Sequence, residues 1–202
     1  VELDEAIRRR AMVRSFSDEP VDRAVVRRLL EGALRSPTAG NTGGTAWVAL
    51  VGPGETAAYW SATTDAHWRD RNHERFEGLR RAHVVLLAYS SPDAYVARYA
   101  EPDKASSGLG STPEAWPVPY WHGDAAFGVM AVLLGAVGAG LGACILGAFR
   151  GAVELARALD VPEGWLPFCA VVLGHPDGQD RRSGSLEHVT PASTARIHWG
   201  TW

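Results

Sequence analysis

Only two cysteines occur in the 202 residues, Cys144 and Cys169, and both sit in apolar runs. Two thiols cannot build a disulfide framework, and their spacing matches no zinc pattern. They read as reduced, buried thiols in a cytoplasmic setting. An excess of one charge is also missing. Twenty basic residues face 23 acidic ones, for a formal net charge of −3. That balance gives no bulk attraction to nucleic acid or to an anionic membrane. The opening VELDEAIRRR lacks the apolar stretch of a secretory signal. Several catalytic signatures are absent as well: no G-x-G-x-x-G opening a helix after a strand, no Walker A loop, no H-E-x-x-H and no G-x-S-x-G. His67 and His73 are six residues apart, poor spacing for one helical face, and read as solvated or structural, so no metal site is assigned.

Hydrophobic residues make up 46% of the chain and charged ones 21%, the proportions of a globular protein. Eight tryptophans are present, several of them in one loop and near the C-terminus. A helix is expected over 1–12. A second follows Asp22, a good N-cap, with Val25, Val26, Leu29, Leu30, Ala33 and Leu34 at helical spacing until Pro37. Strands are expected at 46–52, 83–90, 143–147 and 168–176. A polar, aromatic helical region fills 55–82, and a short helix 92–99. The proline-rich stretch 101–121 reads as a long loop of the kind that forms lids. The apolar run 125–146, whose helix is expected over 122–140, reads as a buried core element and not a membrane span, because it is rich in glycine and preceded by Asp124. A short helix follows near 151–161, and an irregular tail from 177. The result is one α+β domain over 1–202, with a sheet and surrounding helices.

Two arginine clusters stand out: Arg8, Arg9, Arg10 and Arg14 near one end, and Arg181 and Arg182 beside Ser183 near the other. Each reads as a solvated face taken alone. Converging, they have the composition of a phosphate site. Between the second helix and the first strand lies RSPTAGNTGG, Arg35 to Gly44. It is a plain connector, a phosphate cradle or the wall of a cofactor pocket.

Four segments occur in a telling order: IRRRAMVRSFSDEPV, LLEGALRSPTAGNTGGTAW, WHGDAAFGVMAVLLGAVGAGLGACILGAF and ALDVPEGWLPFCAVVLGHP. Together they resemble the nitroreductase family of FMN-dependent NAD(P)H oxidoreductases. The resemblance implies a mostly antiparallel sheet flanked by helices and a homodimer joined along the long apolar helix, with FMN bound by residues of both chains. It places Arg10, Ala11 and Met12 at the FMN phosphate and Arg14 near the pyrimidine ring. Met12 stands where the family usually has serine, so one hydroxyl contact is lost. Pro37, Thr38, Ala39 and Asn41 match the loop at the flavin edge, with Asn41 as its main contact. Gly43 stands where the family usually has glutamine. Ile145, Leu146 and Gly147 match the backbone beside flavin N5, with the N–H groups near Leu146 and Gly147 positioning it. Arg181 and Arg182 match the C-terminal phosphate contacts. Trp116, Tyr120 and Trp121 are expected as aromatic walls for a planar substrate. The implied reaction passes hydride from NADH or NADPH to an electron-poor aromatic or quinone-like acceptor. A deazaflavin in place of FMN or of the donor, and a flavin-storing protein with little turnover, stay open.

Overall fold

The run VVLLAYS has no polar residue before its last position, and every residue of it is buried in strand β2 (Val84–Ser90). A strand apolar on both faces belongs at the centre of a covered sheet. The computed structural model, which describes residues 1–148, 150–180 and 196–202, places it there. Its neighbours are β1 (Thr45–Val51) and β4 (Leu166–Gly174), and β4 carries β3 (Gly142–Gly147) at the far edge. All three pairings are antiparallel, in the order β1-β2-β4-β3.

One face of the sheet packs against α2 (Arg23–Ala33) and α7 (Tyr120–Gly138). The Asp22 side chain caps α2 by accepting from the Ala24 N–H at 2.8 Å. Helix α7 buries Ala125, Val129, Val132, Leu133 and Ala136, a stripe at helical spacing. Gly135 lets the two helices close together, since a Cβ there would lie 2.6 Å from Leu29. Among the described residues α7 is the one helix long and apolar enough to cross a membrane. Here one side of it covers the sheet, while Phe127 and Met130 lie exposed on the other. The opposite face of the sheet carries α3 (Pro53–Thr63), α5 (His73–Arg80) and α8 (Ala152–Ala158). Their Tyr59, Trp60, Phe76, Leu79 and Leu155 pack on Val85, Leu87, Tyr89, Ala170 and Val172. Both cysteines are free and buried, as expected, and burial pushes the Cys169 thiol up to about 12.

The polar region after β1 divides into three helices. Thr63 and Thr64 turn their hydroxyls back onto the carbonyls of Tyr59 and Trp60, at 2.7 and 2.6 Å, where α3 stops. Asp65 then caps α4 (Ala66–Arg71) by accepting from the Trp68 N–H at 2.6 Å. The stretch 101–121 departs from the expected free loop. Two short 3₁₀ turns interrupt it, and α7 begins at Tyr120. Trp116 and Trp121 fold inward against Tyr95 of α6 (Pro92–Tyr99), and the Trp116 indole donates to the Leu109 carbonyl at 2.9 Å.

Candidate functional site

Strand β3 is an edge strand, and the segment after α1 (Leu3–Arg9) crosses beside it. The Val13 N–H donates to the Ala143 carbonyl at 2.9 Å. Ala143 therefore faces away from β4. Alternation along an antiparallel strand then directs Cys144 and Leu146 to their β4 partners Val172 and Ala170. It turns the backbone groups of Ile145 and Gly147 to the open edge. Ile145 and Gly147 are also the exposed residues of this end of the strand. Of the two amides expected beside a flavin, that of Gly147 faces the open edge, while that of Leu146 is turned into the sheet.

Beside that edge lies a groove of about 310 Å³, lined by the aromatic residues Tyr59, Trp60 and Trp68 and by Asn72, Arg75 and Arg150. Asn72 and Arg75 were not singled out from sequence. They belong to a polar helical region with no clear apolar stripe, where an arginine reads as a solvated charge. Gly78 is the signal that brings them in. A Cβ at Gly78 would lie 2.5 Å from the Arg14 carbonyl oxygen and 3.3 Å from Ser15 Cα. Glycine there lets α5 rest directly on the 14–15 backbone, which carries Arg75 toward Arg14. Both guanidinium charges act on Cys144, although burial dominates and raises its thiol. Arg14 Nη1 donates to the Met12 carbonyl at 2.9 Å, and Arg150 pairs with Asp65 at 3.2 Å.

Arg10 and Ala11 sit at the other end of β3, in a cleft of about 180 Å³ beside Gly142. The six residues of β3 put roughly 17 Å between that cleft and Gly147. The chain's two ends do converge nearby. Ser15 Oγ donates to Asp177 Oδ2 at 2.7 Å, Arg81 pairs with the same carboxylate at 2.8 Å, and the Arg14 N–H donates to Asp180 Oδ1 at 3.1 Å. Arg181 and Arg182 follow directly in sequence and lie outside the described residues.

The loop of Pro37, Thr38, Ala39 and Asn41 lies elsewhere. Ala39–Asn41 forms a 3₁₀ turn that packs against α6 and α7 at the β1 side of the sheet. Gly40 and Asn41 have φ of 66° and 55°, and Gly43 has 66°. Asparagine tolerates this left-handed region better than most side chains. The Thr38 hydroxyl accepts from the Gly43 N–H at 3.1 Å, and Arg98 Nε donates to the Gly40 carbonyl at 3.0 Å. A Cβ at Gly44 would run into the Tyr95 ring, whereas one at Gly43 would meet nothing within 4 Å. The room left by the missing glutamine is thus open at Gly43 and closed by tyrosine at Gly44.

Of the three residues expected as an aromatic wall, two pack inward in this chain. Trp116 and Trp121 are only 6% and 7% exposed. Their rings meet Tyr95 and each other edge to face at 5.9–6.2 Å, so their faces serve the core. Tyr120 is exposed, with its ring edge to face against Trp116 at 6.2 Å. His122 is a further residue at this end. Its Nδ1 lies 3.2 Å from Ser90 Oγ, its ring stacks on Phe168, and burial lowers its pKa.

The model of the nitroreductase family matches residues 7–175. The chain belongs to that family, and the family makes it an oxidoreductase. Solved structures share the fold. Nitroreductase CinD from Lactococcus lactis is 14% identical, with a TM-score of 0.76 over 99% of this chain and 100% of that one. A nitroreductase family protein from Clostridium difficile 630 is 13% identical, with a TM-score of 0.71 over the full length of both. One from Clostridium novyi NT is 18% identical, with a TM-score of 0.66 over 90% and 89%.

Proposed function

We propose that the chain is a homodimeric FMN-dependent oxidoreductase that takes hydride from NADH or NADPH and delivers it to an electron-poor aromatic or quinone-like acceptor. The observation that carries this reading is the open edge of β3, where the Gly147 amide faces outward beside a groove lined by Arg75, with the Arg14 charge also acting on neighbouring Cys144. FMN, when bound, would supply the hydride chemistry, as cofactors do for reactions beyond side-chain reach. The groove fits that group in three respects. Glycine at 147 lets a flat ring approach the backbone without a Cβ in the way. The outward amide offers a fixed hydrogen-bond donor. The two arginines place positive charge where an electron-rich ring would develop negative charge. Tyr59, Trp60 and Trp68 give the groove an aromatic wall. Arg10 lies in the cleft toward the other end of β3, the side from which it would reach back to hold a phosphate. Met12 supplies no hydroxyl to that phosphate.

CinD has been solved with chloramphenicol, with nicotinic acid and with 4-nitrophenol. Those ligands are aromatic, and two carry nitro groups, which supports the same acceptor class for this chain. The exposed Phe127 and Met130 of α7 support a second copy packed along that helix.

The test is the visible spectrum of the purified protein with FMN, before and after NADPH. The expected result is a yellow protein bleached by the nucleotide and reoxidised by a nitroaromatic or a quinone. A protein that neither binds FMN nor oxidises NADH or NADPH would overturn the proposal. A yellow protein that no donor bleaches would favour flavin storage.

A further inference from the structure

Asp124 is a carboxylate near the N-terminal end of the apolar stripe of α7, and only 4% of it is exposed. Burying such a group costs free energy unless its partners are good ones. Here one oxygen takes both contacts: Oδ2 accepts from the Ala39 N–H at 2.7 Å and from the Tyr95 hydroxyl at 2.7 Å. Ala39 opens the turn that continues through left-handed Gly40 and Asn41. The Tyr95 ring is what a side chain at Gly44 would strike. The two contacts therefore bracket the loop, one directly at its start and one through a ring wedged at its end. Asn41 and Gly43 lie between them. A turn with three left-handed residues in four is not held by intrinsic backbone preference, so ties of this kind decide its shape.

We propose that Asp124 is the positioning residue of the flavin-edge loop. Through Ala39 and Tyr95 it fixes the turn that presents Asn41, and it does so by geometry, not charge. This rests on the FMN reading above. Because a single oxygen accepts both hydrogen bonds, an asparagine can place its carbonyl oxygen there and serve equally well. A leucine of similar volume fills the space but accepts nothing.

The test compares FMN affinity, by fluorescence quenching, in wild type and in Asp124→Asn, Asp124→Leu, Asn41→Ala and the Asp124→Leu/Asn41→Ala double variant. Amide exchange of residues 38–44 is followed in the FMN-free protein. Asp124→Leu should weaken FMN about tenfold, the scale of one well-formed hydrogen bond. The double variant should be no weaker than Asn41→Ala alone, because both remove the same contact. Asp124→Asn should stay within about threefold of wild type, given that it keeps the acceptor. Exchange at Ala39 and Asn41 should rise in Asp124→Leu and not in Asp124→Asn. Should the leucine variant fail to fold, Tyr95→Phe removes one of the two donors, and its loss should likewise vanish in the Asn41→Ala background.

The proposal is overturned if Asp124→Leu binds FMN as wild type does, or if its loss multiplies with that of Asn41→Ala. An asparagine variant as weak as the leucine one would overturn the geometric role in favour of charge. If wild type itself binds no FMN, the function reading fails, and unchanged exchange in Asp124→Leu would then sink this inference separately.

Discussion

Trp116 and Tyr120 lie four residues apart and have opposite surroundings. Trp116 is buried, meets four aromatic rings, Tyr120 among them, and donates to the Leu109 carbonyl. Tyr120 is exposed. Trp116→Ala should therefore cost about 3–5 kcal/mol of stability, the range for emptying a large buried aromatic site. The folded fraction should keep its affinity for FMN. Tyr120→Ala should leave the melting temperature unchanged and raise KM for an aromatic acceptor. Thermal melts with steady-state kinetics on both variants separate the two roles, and a stable Trp116→Ala with raised KM would restore the aromatic wall. Sequence could show that the stretch was aromatic but not which way each ring turned, because proline-rich segments carry no periodicity to read. The same limit hid Asp124, visible only as the polar residue before an apolar run, since its partners Ala39 and Tyr95 are far away in sequence. Asn41 was legible because a motif surrounds it. Asn72 and Arg75 had no motif, and only the packing at Gly78 brings them to the groove.

Among the elements, the contact between α5 and the segment after α1 does most to shape the groove. Gly78 lies against the Arg14 carbonyl, which is backbone and cannot swing aside. Gly78→Ala should push α5 outward. The expected loss is about 1–3 kcal/mol in stability, as for other overpacked sites. FMN affinity should fall with it, as Arg75 moves away from Arg14. Gly54→Ala on α3, where a Cβ meets nothing within 4 Å, is the control. It should be neutral or slightly stabilising, since alanine favours helix over glycine by about 1 kcal/mol. A Gly78→Ala protein with native melting temperature and native FMN affinity would show that this packing does not set the site. The elements themselves were largely legible. Each strand falls within two residues of its expected limits, because aliphatic runs bounded by glycine and proline are strong signals. The helical region after β1 was the exception. Its first break depends on Thr63, Thr64 and Asp65 and its second on Asn72, all turning side chains onto backbone, and these residues look like ordinary surface positions in sequence.

At the scale of the molecule, the expected FMN residues fall into two groups that one protomer keeps apart. Arg14 and Gly147 belong to the β3 side, where Arg75, which was not expected from sequence, joins them from the groove under α3 and α5. Asn41 belongs to the β1 side and packs with α6 and α7 over the other face. Strands β2 and β4 lie between, so the edges alone are roughly 14 Å apart at three strand spacings. On the homodimeric reading proposed above, a flavin that touches both groups would draw them from two chains. That arrangement can be tested by mixing defects. One chain carries Arg14→Ala and Arg75→Ala, the other carries Asn41→Ala, and differently tagged copies are co-expressed and purified as the mixed dimer. With shared sites, one site collects all the damage and the other is wholly intact. The mixed dimer should then bind about half the FMN of wild type with native affinity, although each parent homodimer loses roughly 1.5–3 kcal/mol of binding for every charged hydrogen bond removed. With sites inside single chains, each site keeps one defect, and no native-affinity binding returns. Spectral titration of the mixed dimer therefore reads the assembly directly, and failure to recover any native-affinity site would exclude FMN binding across the two chains.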